Sequence, residues 1–207
     1  MIFLTSPNNP TGLALSKRSF ETFLDAIPGD ILLVLDEAYI EFARDPDAVN
    51  GIHYLDRGKP IAVLRTFSKA YGLAGLRIGY GLMPPDMAEL LNRIRPPFNT
   101  SIPAQLGAAA ALDDAAFLAE TLRTVHDGLD QICAALSEMR LDCLPSQANF
   151  LFIKVPLPAA VLFESLLREG VVVRSMTSYG YPDHIRVTAG TPAENDKFLG
   201  ALKKVLP

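Results

Sequence analysis

The sequence predicts an α/β protein: a large domain on a mostly parallel sheet, followed by a small α+β domain at the C-terminus. Three observations carry this. Continuous aliphatic runs of strand length, at residues 31–35 and 61–64, alternate with helical patterns in the first half. Near the middle, Leu118, Leu122, Val125, Leu129, Ile132, Leu136 and Met139 form one apolar stripe, the mark of a long amphipathic helix. Beyond it, shorter strand and helix signals follow in a second, smaller pattern. The boundary is set at the start of the long helix, so that residues 1–117 form the large domain and 118–207 the small one with its connecting helix.

Each element has its own signal. A short apolar run at 2–5 ends in the turn-rich string Ser6-Pro7-Asn8-Asn9-Pro10-Thr11-Gly12. Ser16 then caps a helix that carries Phe20, Phe23, Leu24 and Ile27 on one face and stops at Pro28-Gly29. The runs at 31–35 and 61–64 read as strands buried on both faces, and 78–82 as a further strand. Residues 101–112 are Ala-rich and predict a closely packed helix. In the last third, 149–155 reads as a strand and 158–169 as a helix, with Pro158 at its start and Gly170 just past its end. Residues 171–173 and 185–188 read as short strands. Thr191-Pro192-Ala193-Glu194 is a capping box opening a final helix with Phe198, Leu199, Leu202, Val205 and Leu206 on its stripe.

Composition excludes several classes of function. Lys and Arg number 19 against 23 Asp and Glu, a net charge of −4, which offers no general attraction to nucleic acid or to an anionic membrane. The aliphatic runs fall far short of the ~20 residues a membrane helix requires, and the N-terminus lacks the basic region of a signal peptide. Cys133 and Cys143 form no C-x-x-C pair, and three scattered histidines add no metal-ligand spacing. Gly79-x-Gly81 runs into Pro84 where a dinucleotide fingerprint needs glycine, and no phosphate-binding P-loop motif is present. The expectation is a soluble protein of a reducing compartment with buried thiols, no metal, and no nucleic-acid or membrane partner.

The chemistry is concentrated at strand ends, where loops of an α/β sheet bind ligands. Asn9 lies in the turn after the first strand, Asp36 directly follows the second, and Thr66-Phe67-Ser68-Lys69 follows the third. Three strands thus offer an amide, an acid and an amine to one rim. Taken singly, each has an ordinary reading: a helix cap, a solvated surface lysine, a proline-glycine turn.

In this order they do not read as ordinary. The Asn8-Asn9-Pro10-Thr11-Gly12 string, Asp36-Glu37-Ala38-Tyr39, and Ser68-Lys69 followed at Arg77 by Arg-Ile-Gly-Tyr resemble the fold-type-I, pyridoxal-phosphate-dependent aminotransferases of class I and II. Ala148-Asn149-Phe150 and Ile185-Arg186-Val187-Thr188-Ala189-Gly190-Thr191 bring the likeness closest to the histidinol-phosphate aminotransferases. The resemblance implies an aspartate aminotransferase-like fold, pyridoxal 5'-phosphate (PLP) as cofactor, and transamination of L-histidinol phosphate with 2-oxoglutarate in histidine biosynthesis. It implies a homodimer, and it implies roles. Lys69 forms the Schiff base with the cofactor and moves the substrate proton. Asp36 holds the pyridinium nitrogen protonated. Asn9 and Tyr39 bond the phenolic oxygen. Thr66, Ser68 and Arg77 hold the phosphate, Arg77 through its planar fork. Arg186 takes the substrate anion, with Arg174, at the end of the 171–173 run, beside it. Tyr71 and Tyr80 read as packing residues.

Members of that family carry further sequence upstream of the position of Met1, including a ring-stacking aromatic and part of the phosphate cup, so an N-terminally incomplete large domain is the expectation. Two other readings share these residues: another class I or II aminotransferase or a related decarboxylase of a phosphorylated amino acid, and a non-catalytic fragment.

Overall fold

A computed structural model describes residues 1–206. The chain divides into two compact units, residues 1–8 with 14–121, and 9–13 with everything from Leu122 onward.

The first unit is built on four strands: β1 (Ile2–Thr5), β2 (Leu33–Asp36), β3 (Ile61–Thr66) and β4 (Gly79–Leu82), in that spatial order. β1, β2 and β3 run parallel, in a register that aligns Thr5 with Asp36 and Asp36 with Leu64. The sheet is therefore mixed but mostly parallel, as its aliphatic strands predict. The expected strand at 31–35 sits two residues later than its apolar run begins, because Ile31 N–H bonds the Pro28 carbonyl and closes a turn first. The strand expected at 78–82 forms as β4, but antiparallel to β3. Gly79 allows that approach: a Cβ there would stand 2.6 Å from the Arg65 carbonyl oxygen.

One face of the sheet is sealed by α1 (Lys17–Ala26), whose first turn is capped by Ser16 Oγ accepting the Ser19 N–H at 3.1 Å. Phe20 and Leu24 pack with Leu33, Leu35, Val49, Tyr54, Ile61 and Val63 as one buried cluster. Phe20 meets Tyr54 edge to face, with ring centres 4.8 Å apart. Burial of such side chains is worth about 1.5–3 kcal/mol each. Alternation along each strand commits Leu33 and Leu35, with Ile61 and Val63, to this face. A one-residue slip would expose them all, so the core fixes the register and the register fixes where the strands end.

Three helices follow: α2 (Pro85–Ile94), α3 (Ile102–Asp113) and α4 (Ala115–Glu138), the last running from the first unit into the second. α2 is an element the sequence reading lacked. α3 buries only Ala104 and Ala108, short of the close packing expected of it, while Ile94, Phe98, Ile102 and Leu106 are each at least 67% exposed.

The second unit carries an antiparallel sheet of β5 (Phe150–Lys154), β6 (Arg174–Ser175) and β7 (His184–Thr188), in the order β5-β7-β6. α5 (Ala159–Arg168) packs on β6, β7 and α6 (Pro192–Val205). Val125, Leu129, Ile132 and Leu136 of α4 are buried, the middle of the expected stripe, whose last member Met139 falls beyond the helix. The capping box closes through Glu194, whose Oε2 accepts the Thr191 N–H and hydroxyl, each at 2.8 Å. One expectation fails here. Residues 171–173 join no ladder; the strand begins at Arg174, so Arg174 opens β6 and does not end a strand.

Candidate functional site

Parallel pairing brings the loops after β2 and β3 side by side. Along β2 and β3, alternation turns Leu35 and Val63 to the core and leaves Asp36, Leu64 and Thr66 to the other face. On that face a cavity of about 410 Å³ is lined by Asp36, Ala38, Leu64, Arg65, Thr66, Ser68, Lys69, Ala74 and Arg77. Five residues singled out from sequence thus share one wall: Asp36, Thr66, Ser68, Lys69 and Arg77.

Local bonds set each of them. One Asp36 carboxylate oxygen accepts the Ala38 N–H at 3.1 Å, which turns the chain at the strand end. Thr66 Oγ1 accepts the Ser68 N–H at 3.0 Å in the same kind of turn. The Lys69 carbonyl accepts the Gly72 N–H and the Phe67 carbonyl the Leu73 N–H, closing the loop beneath the lysine. Phe67 anchors this loop in the core against Tyr71 and Tyr80, at 5.1 and 5.5 Å between ring centres, which gives both tyrosines the packing role expected of them. Lys69 Nζ stands 5.4 Å above the ring of buried Tyr39, within reach of a cation–π attraction. Arg77 is held in the left-handed region at φ 54°, its guanidinium donating to the Ala74 carbonyl at 2.7 Å. A non-glycine residue there carries strain, a cost found concentrated at functional sites.

A buried pair directs its side chains to the opposite face. Glu37, next to Asp36, is fully buried and accepts from Arg65 Nε and Nη2 at 3.0 and 2.8 Å and from the Gly51 N–H at 2.5 Å. Arg65, next to Thr66, also donates to Asn50 Oδ1 at 2.8 Å. Burial pushes the Glu37 carboxyl above its ordinary value, against the opposing pull of Gly51 and Arg65. Glu41 is raised by burial as well, and Tyr71 by burial and then by the charge of Glu41. Sequence reasoning missed Glu37, Arg65, Asn50 and Glu41. The signal for the first two was their placement one residue from Asp36 and Thr66, on the alternate strand position.

The remaining sequence-picked residues lie in the second unit. Arg186 Nη1 donates to Asn9 Oδ1 at 2.6 Å, and its guanidinium lies 4.8 Å from the Phe150 ring centre. Asn9 packs with the second unit, so the expected rim of amide, acid and amine is divided between units. Arg174 stands opposite Arg186 in the β6–β7 ladder, and both line a cavity of about 930 Å³ with Asn195 and Lys197. The Nε of Arg186 is buried and has no hydrogen-bond partner among the described residues. No group of three or more His, Cys, Asp or Glu able to hold a metal ion occurs among the described residues. No helix among them is long and apolar enough to cross a membrane.

Comparison with known proteins agrees with this geometry. The family model described as aminotransferase class I and II matches residues 1–202. Histidinol-phosphate aminotransferase 2 of Pseudomonas fluorescens is 47% identical over 206 residues, which are 100% of this chain and 56% of that protein. The chain thus spans little more than half the length of that relative. Among solved structures, the histidinol-phosphate aminotransferase of Sinorhizobium meliloti in complex with pyridoxal-5'-phosphate superposes with a TM-score of 0.82 at 33% identity, covering 98% of this chain and 56% of that one. The histidinol-phosphate aminotransferase of Clostridium acetobutylicum superposes at 0.89, with 25% identity and coverage of 98% and 62%. The strand-end acid, the Ser-Lys loop and the left-handed arginine are set in the fold of those enzymes, and the chain belongs to the class I and II aminotransferase family.

Proposed function

We propose that this chain carries the cofactor cradle and the substrate-anion arginines of a PLP-dependent transaminase, with L-histidinol phosphate as amino donor and 2-oxoglutarate as acceptor. The observation that carries the reading is the cavity in which Asp36, Thr66, Ser68, Lys69 and Arg77 share one wall.

The donor set suits pyridoxal 5'-phosphate. Asp36 offers a carboxylate to a ring N–H, Thr66 and Ser68 offer hydroxyls, and Arg77 offers a planar fork to a phosphate. When bound, the cofactor supplies an electron sink for the charge that develops as the substrate Cα loses its proton. The chain's own residues do the rest. Lys69 anchors the cofactor through its amine and carries the proton at the substrate Cα. Asp36 keeps the ring nitrogen protonated by its charge. Tyr39, packed under Lys69, and the amide of Asn9 bond the phenolic oxygen. Arg186 binds the carboxylate of glutamate and the phosphate of histidinol phosphate in turn, with Arg174 across the ladder. Its partnerless buried Nε supports an anion there, since a buried donor left unpaired costs about 1–3 kcal/mol.

The reading includes a cytoplasmic homodimer active in histidine biosynthesis. The exposed Ile94, Phe98, Ile102 and Leu106, close together in sequence, support association, because large apolar side chains gain from being covered.

Donor profiling tests the substrate. The chain is incubated with pyridoxal 5'-phosphate, 2-oxoglutarate and one amine at a time, and glutamate is measured. L-histidinol phosphate is expected to outperform aspartate and the aromatic amino acids. Release of carbon dioxide from a phosphorylated amino acid without glutamate would identify a decarboxylase instead. Failure both to retain cofactor and to turn over would identify a non-catalytic fragment.

A further inference from the structure

The two cysteines, expected as buried thiols, are only half-buried, and their sulfurs lie 3.7 Å apart. The fold brings them together by a defined route. α4 ends in a reversal in which Arg140 adopts φ 57° and the Leu141 N–H bonds the Leu136 carbonyl at 2.9 Å. The chain then doubles back, so that Cys143 returns beside Cys133 on the helix. Backbone bonds hold Cys143 in place on both sides: the Lys154 N–H donates to the Asp142 carbonyl at 2.9 Å, the Leu144 N–H to the Phe152 carbonyl at 3.0 Å, and Cys143 itself bridges Ile153. One thiol is thus fixed to a helix and the other to a strand-paired segment, with the pair facing each other.

We propose that Cys133 and Cys143 are a redox modification site that closes reversibly to a disulfide on reaction with small-molecule disulfides. The sulfurs need to approach by about 1.7 Å to reach bonding distance. The chemistry balances in two exchanges. The thiolate of one cysteine attacks a sulfur of the external disulfide, forming a mixed disulfide and expelling one external thiolate. The second cysteine's thiolate then attacks the protein sulfur of that mixed disulfide and expels the other external thiolate. The two protein thiols are oxidised, the external disulfide is reduced to two thiols, and the two protons lost by the protein pass to the expelled thiolates. The crosslink ties the last turns of α4 to the segment that pairs with β5. A closed loop this short, between anchored backbones, favours the intramolecular bond over a bond to another chain.

The test is made on the reduced full chain, which is incubated with oxidised glutathione, quenched with an alkylating agent and mapped by mass spectrometry. The expected product is a single crosslinked peptide joining residues 133 and 143, two hydrogens lighter than the reduced pair and restored by dithiothreitol. Cys143→Ser is expected to arrest the reaction at a stable glutathione adduct on Cys133. Two alkylated cysteines after oxidation, stable glutathione adducts on the unsubstituted chain, or crosslinks between chains would each overturn the proposal. None of these outcomes depends on the transaminase reading.

Discussion

Replacing Arg65 with methionine strips Glu37 of its counter-ion while leaving its carboxyl in the interior. The Glu37 side chain is wholly shielded from solvent and that of Arg65 is 12% exposed, so water cannot take over the lost contacts. Breaking a buried pair from one side costs about 3–5 kcal/mol, a large share of the 5–15 kcal/mol that holds a typical domain together. Replacing both, as Glu37→Leu with Arg65→Met, removes the stranded charge; the Gly51 N–H is left short of an acceptor, a cost of about 1–3 kcal/mol, and Asn50 Oδ1 keeps the Ile52 N–H. The double variant is therefore expected to be more stable than Arg65→Met alone. The sign of the pH dependence follows from the raised Glu37 carboxyl. A carboxyl raised in the fold binds its proton more readily there than in the unfolded chain, so protonation favours folding. The deficit of Arg65→Met shrinks as pH falls toward the ordinary carboxylate range and grows as pH rises through the raised value. Urea unfolding followed by far-UV circular dichroism suits a chain without tryptophan, with the urea dependence checked for constancy between variants. A loss below about 1 kcal/mol in Arg65→Met, or a double variant that simply sums the two singles, would refute the reasoning.

Two further outcomes are expected. Asp36→Asn keeps the side-chain shape and removes the charge, so the melting temperature holds while transamination falls by about 10²–10³-fold; near-normal turnover would make Asp36 a structural acid. Glu194 is held below its ordinary value by the Thr191 N–H and hydroxyl, so the stability it adds is present above the unfolded carboxylate value and lost as pH falls through the lower folded one. Glu194→Gln should flatten that limb of a stability–pH curve, and an unchanged limb would contradict the capping role.

What the sequence revealed and what it hid divide along physical lines. Asp36, Thr66, Ser68 and Lys69 were legible because a polar residue ending an aliphatic strand of a parallel sheet has few places to go other than the loop rim. Local chemistry was legible too: Ser16, and Thr191 with Glu194, mark helix starts through bonds spanning three residues. The Glu37–Arg65 pair was not. It depends on β2 and β3 being neighbours in one particular register, which no single segment encodes. The strand expected at 171–173 misled for a related reason: an extended apolar run becomes a strand only where a partner edge meets it, and here β7 meets Arg174 and Ser175. α2 was legible and missed: Pro85 at its first turn and Met87, Leu90, Leu91 and Ile94 at i, i+3, i+4 and i+7 spell an amphipathic helix, although Leu90, Leu91 and Ile94 stay exposed. The bond that Asn9 Oδ1 accepts from Arg186, far along the sequence, is likewise encoded by no single segment.

The central claim is that Lys69 is the residue that engages the cofactor, and trapping it chemically is the most direct measurement. The chain is loaded with pyridoxal 5'-phosphate, reduced with borohydride, digested and mapped. Of its seven lysines, Lys69 alone is expected to carry the pyridoxyl group. Label spread over several lysines, or absent from Lys69, would contradict it.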